Sequence, residues 1–121
     1  MDDIEAINRR VLDYIEGWYE GNAARMNQAL SPHLAKRRIV SEEEIWEVSK
    51  AWMIEATGNG KGRLDMPENG RKEITILDQT ETMASVKVVS KEFVDYLHLA
   101  KTNNVWAIVN ALWDLIPVAS A

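Results

Sequence analysis

Asp95, His98 and Asn110 are three polar residues set among the aromatic and β-branched side chains of the stretch from Met83 to Leu115, which reads as long strands joined by short polar turns. Alternate side chains of a strand point to opposite faces, so parity sorts the three. Asp95 shares parity with Phe93, Leu97 and Leu99; with those residues inside, its carboxylate points into an apolar enclosure. Burial there raises a carboxyl pKa and makes Asp95 a candidate for proton transfer. The competing reading is a structural carboxylate paired with an arginine or with backbone amides. Asn110 shares parity with Trp106 and Ile108 and is expected to reach the same enclosure, either to orient a ligand carbonyl or as a satisfied core amide. His98 has the opposite parity and falls on the outer face.

Other candidates lie upstream. Tyr14 and Trp18 are one helical turn apart and would line the opposite wall, with Trp52 closing it; aromatic core packing is the alternative for all three. His33 follows Pro32 at an expected helix end, where it is placed at the pocket mouth as an acid, a base or a cap. A metal site from His33, His98 and Asp95 would need both faces of one strand at once, so no metal is expected. The chain has no cysteine, which excludes disulfides, thiol catalysis and thiolate-held zinc or iron. No cofactor is expected. Gly58-Asn59-Gly60-Lys61-Gly62 is rich enough in glycine for a phosphate loop, yet it closes a helix instead of opening one and lacks the required spacing.

The elements that would carry these residues follow from periodicity. Asp2 and Glu5 have capping-box spacing, and Ile4, Ile7, Val11, Tyr14, Ile15 and Trp18 then recur at three- and four-residue steps, which predicts an amphipathic helix ending at Gly21. A short second helix from Asn22 stops at Pro32. The segment from His33 to Val40 reads as a short strand or an extended connection, and Lys36-Arg37-Arg38 as its solvated middle, with an anionic ligand the other reading. Ser41 and Glu44 form a second capping box, predicting a third helix with Ile45, Val48, Trp52 and Ala56 on one face. A long loop covers Gly58 to Gly70. Strands are expected at Arg71–Leu77, from Met83, from Phe93 and up to Pro117, with Asn103-Asn104 in a hairpin turn and a tail from Val118 to Ala121.

A length of 121 residues suits a single domain, 1–121, with one core. The net charge of −5, from 19 acidic and 14 basic residues, disfavours nucleic acid and anionic membranes as partners. No run approaches the ~20 apolar residues of a membrane span, and the start lacks a basic and apolar leader pattern, so a cytoplasmic location is expected. Both faces of the last strand are apolar, which predicts a cover on each side. The helices supply one cover; a second copy of this chain is expected to supply the other through Tyr96, His98, Val109, Ala111 and Trp113, with the long loop as the alternative.

A helix hairpin, a third helix and a bent antiparallel sheet is the element order of the SnoaL-like, cystatin-like or nuclear-transport-factor-two-like α+β cone. The runs Gly17-Trp18-Tyr19-x-Gly21, Pro32-His33-Leu34-Ala35-Lys36-Arg37 and Asp95-Tyr96-Leu97-His98-Leu99 resemble its lumazine-binding branch. The resemblance implies three N-terminal helices packed on a strongly curved antiparallel sheet, a conical pocket between them, and dimerisation through the outer sheet face. The expected function is binding of a partly apolar, planar small molecule between Trp18, Trp52 and Phe93, oriented by Asp95, Asn110 and Tyr14. Two alternatives stand beside it: an isomerase or dehydratase using Asp95, with His33 and Tyr14 as further catalytic candidates, and a non-catalytic interaction module with a filled cone. Such a fold hosts many activities and does not choose among them.

Overall fold

The computed structural model describes residues 2–117; the expected tail at 118–121 lies outside the described residues. Helix α1 spans Asp3–Glu20, with the Asp2 carboxylate accepting from the Glu5 amide at 2.8 Å and Gly21 ending it in the left-handed conformation at φ 69°. Helix α2, Ala23–Ala29, is capped by Asn22, whose side chain accepts from the Arg25 amide at 3.1 Å. The ambiguous segment resolves as strand: β1 runs from Leu30 to Ser41 and turns back into β2, Glu44–Val48.

The third helix therefore starts later than its capping-box pattern predicts. Helix α3 is Lys50–Gly58, and its cap is Ser49, which accepts from the Trp52 amide at 3.0 Å. Ser41 instead holds a turn, accepting from the Glu43 amide. Ile45, one of the four residues of the expected apolar helix face, is exposed on the hairpin, as is its neighbour Trp46. Antiparallel pairing, with Ile39 opposite Ile45 and Lys36 opposite Val48, meets their backbone needs, and β-branched and aromatic residues fit it.

Four further strands, β3 (Lys72–Gln79), β4 (Met83–Ser90), β5 (Phe93–Thr102) and β6 (Val105–Leu115), complete a six-stranded sheet of order β2-β1-β6-β5-β4-β3. Asn103 and Asn104, both at positive φ, make the β5–β6 turn. The sheet is mixed, because β1 joins β6 in parallel while the other neighbours are antiparallel. Ile7 and Val11 of α1 and Met26 of α2 pack on Val86, Val88, Leu97, Leu99 and Ile108 of the concave face.

One irregularity decides the faces. His98 lies opposite Asn110, but Leu99 lies opposite Ile108, so Val109 is an extra residue in β6. Alternation then shifts by one beyond the bulge. Ile108 and Ala111 both face the core, at 0% and 1% exposure, and Asn110 turns outward with Leu112.

Helix α1 is tied down along its length. The Trp106 indole donates to Asp3 at 3.0 Å, the Tyr19 hydroxyl donates to the Arg71 carbonyl at 2.5 Å and accepts from the Lys91 amide at 2.9 Å. The loop after α3 is strapped to it as well: the Leu64 amide donates to the Tyr19 carbonyl at 3.0 Å, and Gly62 packs so closely that a β-carbon there would lie 2.0 Å from the Trp18 indole nitrogen. Among the described residues no helix is long and apolar enough to cross a membrane.

Candidate functional site

Between α1, α3 and the concave sheet lies a cavity of about 380 Å³, walled by Tyr14, Trp18, Trp52 and Phe93 as expected, and also by Trp46 and Trp113. The aromatic wall is continuous. Trp52 meets Trp46 edge-on at 5.5 Å between centroids, Trp46 meets Trp113 at 5.9 Å, and Trp113 meets Phe93 at 5.2 Å. Offset or edge-to-face contacts of this kind fix ring orientation.

Three polar side chains cross this apolar space in a line. The Lys36 ammonium donates to the Tyr14 hydroxyl at 2.6 Å, and the Tyr14 hydroxyl donates to Asp95 Oδ2 at 2.8 Å. All three are buried: Tyr14 at 5%, Lys36 at 8% and Asp95 at 4% exposure. They come from three different elements, α1, β1 and β5, so the chain of bonds exists only in the folded state. Lys36 Nζ also sits 5.0 Å from the Tyr14 ring centroid and 5.5 Å from that of Trp113. Ring faces attract a cation and offset part of its lost hydration.

Burial raises the Asp95 carboxyl above its ordinary pKa, while the Lys36 charge and the Tyr14 hydrogen bond pull the other way. Burial lowers the Lys36 ammonium, and Asp95 opposes that shift. The Tyr14 phenol is held well above its ordinary value, by burial first and then by the adjacent carboxylate. The hydroxyl therefore stays protonated and can act as a bridge between an acid and a base.

The sequence reading places Asp95, Tyr14, Trp18, Trp52 and Phe93 around this cavity, and all five line it. Two other candidates stand elsewhere. His33 is exposed on β1 and does not line the cavity, because the expected helix end is a strand there. Asn110 is on the outer face, where its amide lies 3.2 Å from His98 Nδ1, because the Val109 bulge reverses its parity. The same bulge brings Ala111 into the core and Trp113 into the cavity, so neither belongs to the outer face on which parity alone places them. The reading as a solvated residue is corrected for Lys36. Leu34, Lys36 and Arg38 share one face of β1, and strand alternation would have found this had the strand been recognised. Among the described residues no group of three or more His, Cys, Asp or Glu side chains is placed to hold a metal.

Residues 2–114 match the profile of the family described as "Putative lumazine-binding". The chain belongs to this family. Solved structures of the nuclear-transport-factor-two-like fold share its architecture. An NTF2-like protein from Silicibacter pomeroyi is 16% identical with a TM-score of 0.78 over 93% of this chain and 95% of that one. One from Methylobacillus flagellatus is 22% identical with a TM-score of 0.78 over 97% and 94%. A ketosteroid isomerase-like protein from Erwinia carotovora is 10% identical with a TM-score of 0.69 over 97% and 98%. At these identities the likeness establishes the shared cone alone. No curated protein matches the sequence.

The buried chain makes a stability prediction. Removing one partner strands the other charge, so at neutral pH Lys36→Met and Asp95→Asn should each cost on the order of 3 kcal/mol, and the double variant should cost less than the sum of the two. Without Lys36, the folded protein holds the Asp95 proton more tightly than the unfolded chain does. That contribution favours folding at low pH and is lost as pH rises through the raised carboxyl pKa. The deficit of Lys36→Met should therefore shrink on acidification. Urea denaturation across the carboxylate range measures both effects, and additive, pH-independent losses would contradict them.

Proposed function

We propose that this lumazine-binding-family domain binds a planar, partly apolar small molecule carrying carbonyl or other acceptor oxygens in the cavity between the helices and the concave sheet. The observation that carries this reading is the Lys36–Tyr14–Asp95 chain opening onto an aromatic-walled space. Trp18, Trp46, Trp52, Phe93 and Trp113 offer ring faces and edges to a flat ligand, and an ammonium has three donors of which Tyr14 takes one. Lumazine, named in the family's description, is a flat heteroaromatic with ring carbonyls and suits such a wall. Titration with lumazine should quench tryptophan fluorescence saturably. Lys36→Met, which loses a charged hydrogen bond, should weaken binding by about tenfold or more. Unsaturable quenching, or equal affinity in the variant, would remove the reading.

A catalytic version is favoured by one feature, the raised carboxyl of Asp95 in hydrogen-bond contact with a phenol that stays protonated. A carboxylate that takes a proton from carbon beside a hydroxyl that donates to the developing enolate oxygen is the requirement of an isomerase or dehydratase step. In deuterated water the protein should then accelerate exchange of the α-protons of β-tetralone, followed by NMR. Asp95→Asn, less stable but checked by circular dichroism to be folded under the assay conditions, should abolish the acceleration; undiminished exchange in that variant excludes the role.

The outer face supports a second copy of the chain as partner. Tyr96 and Leu112 lie opposite each other and are 47% and 46% exposed, with His98, Val109 and Asn110 beside them. Around this weakly polar centre run Lys87, the Arg37–Glu47 pair and Asp114. An uncharged centre with a charged rim fits a self-complementary interface. Sedimentation should give a dimer at micromolar concentration, and Tyr96→Asp with Leu112→Asp should give a folded monomer. A monomeric parent protein would end this proposal.

A further inference from the structure

Of the two lysines that line the cavity, Lys36 is buried and Lys61 is exposed at the edge, over the Trp52 ring; a role as simple counter-ion leaves most of the chemistry of Lys36 unused. Its amine lines the space that a ligand would occupy. It makes one hydrogen bond, to Tyr14, and that hydroxyl is in turn bonded to a carboxylate. Lys50, Lys61, Lys72, Lys87, Lys91 and Lys101 are exposed or half-buried and carry no such relay.

We propose that Lys36 is a carbonyl-capturing amine, which forms a Schiff base with an aldehyde or ketone seated in the cavity, with Tyr14 relaying protons to and from Asp95. The proposal rests on the reading of the cavity as a small-molecule site and names the chemical class of what would bind there: a flat, apolar compound with a reactive carbonyl group.

The geometry permits the free amine without changing the charge of the cavity. In the ionised arrangement the ammonium donates to Tyr14 Oη and Tyr14 donates to Asp95. If the ammonium proton moves to Tyr14 Oη while the phenolic proton moves to Asp95, the same two contacts persist with every donor reversed. Tyr14 now donates to the amine, and the carboxylic acid donates to Tyr14. Burial favours this neutral form, since it removes two charges from a poorly hydrated site.

The chemistry then balances. The amine lone pair attacks the carbonyl carbon, the carbonyl π electrons move to oxygen, and one N–H proton passes to that oxygen to give a neutral carbinolamine. The C–O bond breaks with the Asp95 proton delivered through Tyr14, water leaves, and the nitrogen lone pair forms the C=N bond. The products are a protonated imine on Lys36, the Asp95 carboxylate and one water. The imine cation stands where the ammonium stood, beside the rings of Tyr14 and Trp113 and paired through Tyr14 with Asp95. No external reductant, metal or cofactor is needed.

The test uses the full chain with β-naphthaldehyde and sodium cyanoborohydride, which reduces the imine to a stable amine, followed by peptide mass spectrometry. One adduct, at Lys36, is expected to form at pH 7 on the order of tenfold faster than at any other lysine, including Lys61 at the cavity edge, because only at Lys36 is the seated aldehyde held against an amine hydrogen-bonded to Tyr14. Tyr14→Phe should slow trapping at Lys36 while leaving the surface lysines unchanged, which a merely structural tyrosine would not do selectively. Adducts spread over surface lysines with Lys36 unmodified would overturn the proposal. Calorimetric titration with β-naphthylmethanol, which has the same ring system and no carbonyl, separates the two readings. If the alcohol binds and the aldehyde is not trapped at Lys36, the covalent step fails and the binding site stands; if neither occurs, both fail.

Discussion

Taking a lysine and an aspartate out of water is the constraint around which this molecule is arranged. Each charge loses hydration on burial, and that loss is recovered only where partners are held at hydrogen-bond distance. Here the recovery depends on Tyr14, which contacts both groups and belongs to neither strand. Helix α1 must therefore lie against the concave face at one height and one rotation, so that its tyrosine falls between β1 and β5. Apolar packing of Ile7 and Val11 gives the helix its place, and the buried polar chain admits only one register for it.

The anchors along α1 serve the same end. Asp3 is held by Trp106 at the helix start, and Tyr19 is held by Arg71 and Lys91 at its end. Asp13 and Glu16 share Arg25 of α2 at 3.0 and 2.9 Å, and Glu16 also binds Lys72 of β3. The exposed members of this set contribute little individually. Their value is positional, because contacts to α2, β3, β6 and the β4–β5 turn leave the helix little freedom to slide or roll. Tyr14 and Trp18 are thereby presented to the cavity already in place, and a ligand need not use its binding energy to order them.

How far the site was legible follows from what strand alternation can and cannot carry. Asp95 was legible because β5 is regular from Phe93 to His98, so that parity with Leu97 gave the correct face. Trp113 and Asn110 were not, because one bulged valine exchanges their faces and a bulge in an apolar β-branched run leaves no mark in composition. The helices α1 and α2 were legible from caps at Asp2 and Asn22 and the glycine at 21. The β1–β2 hairpin was concealed by a coincidence of spacing: Ile45, Val48 and Trp52 fit a helical face as well as they fit a strand followed by a new helix capped at Ser49. Lys36 was hidden because the segment from His33 to Val40 reads equally as a short strand or an extended connection: a charged triplet in a connection looks solvated, and the same triplet in a strand must place alternate members inside.

That last point bears on why the cone leaves function open. The parallel pairing of β1 with β6 brings Lys36 level with Ala111, a small residue, and the space beside it receives the rings of Tyr14 and Trp113. Any residue at position 36 would face this cavity, for the backbone alone decides the direction. What the side chain contributes is the chemistry: a leucine there would leave Asp95 without its counter-charge and Tyr14 without its donor, and would produce an apolar container with one unpaired carboxyl. A lysine produces a pair of groups that can exchange a proton through a phenol at no change in net charge. The same walls, sheet order and volume thus support either a passive receptor or a reactive site. The difference between them lies in the groups enclosed, and this chain encloses a lysine and an aspartate bridged by one tyrosine hydroxyl.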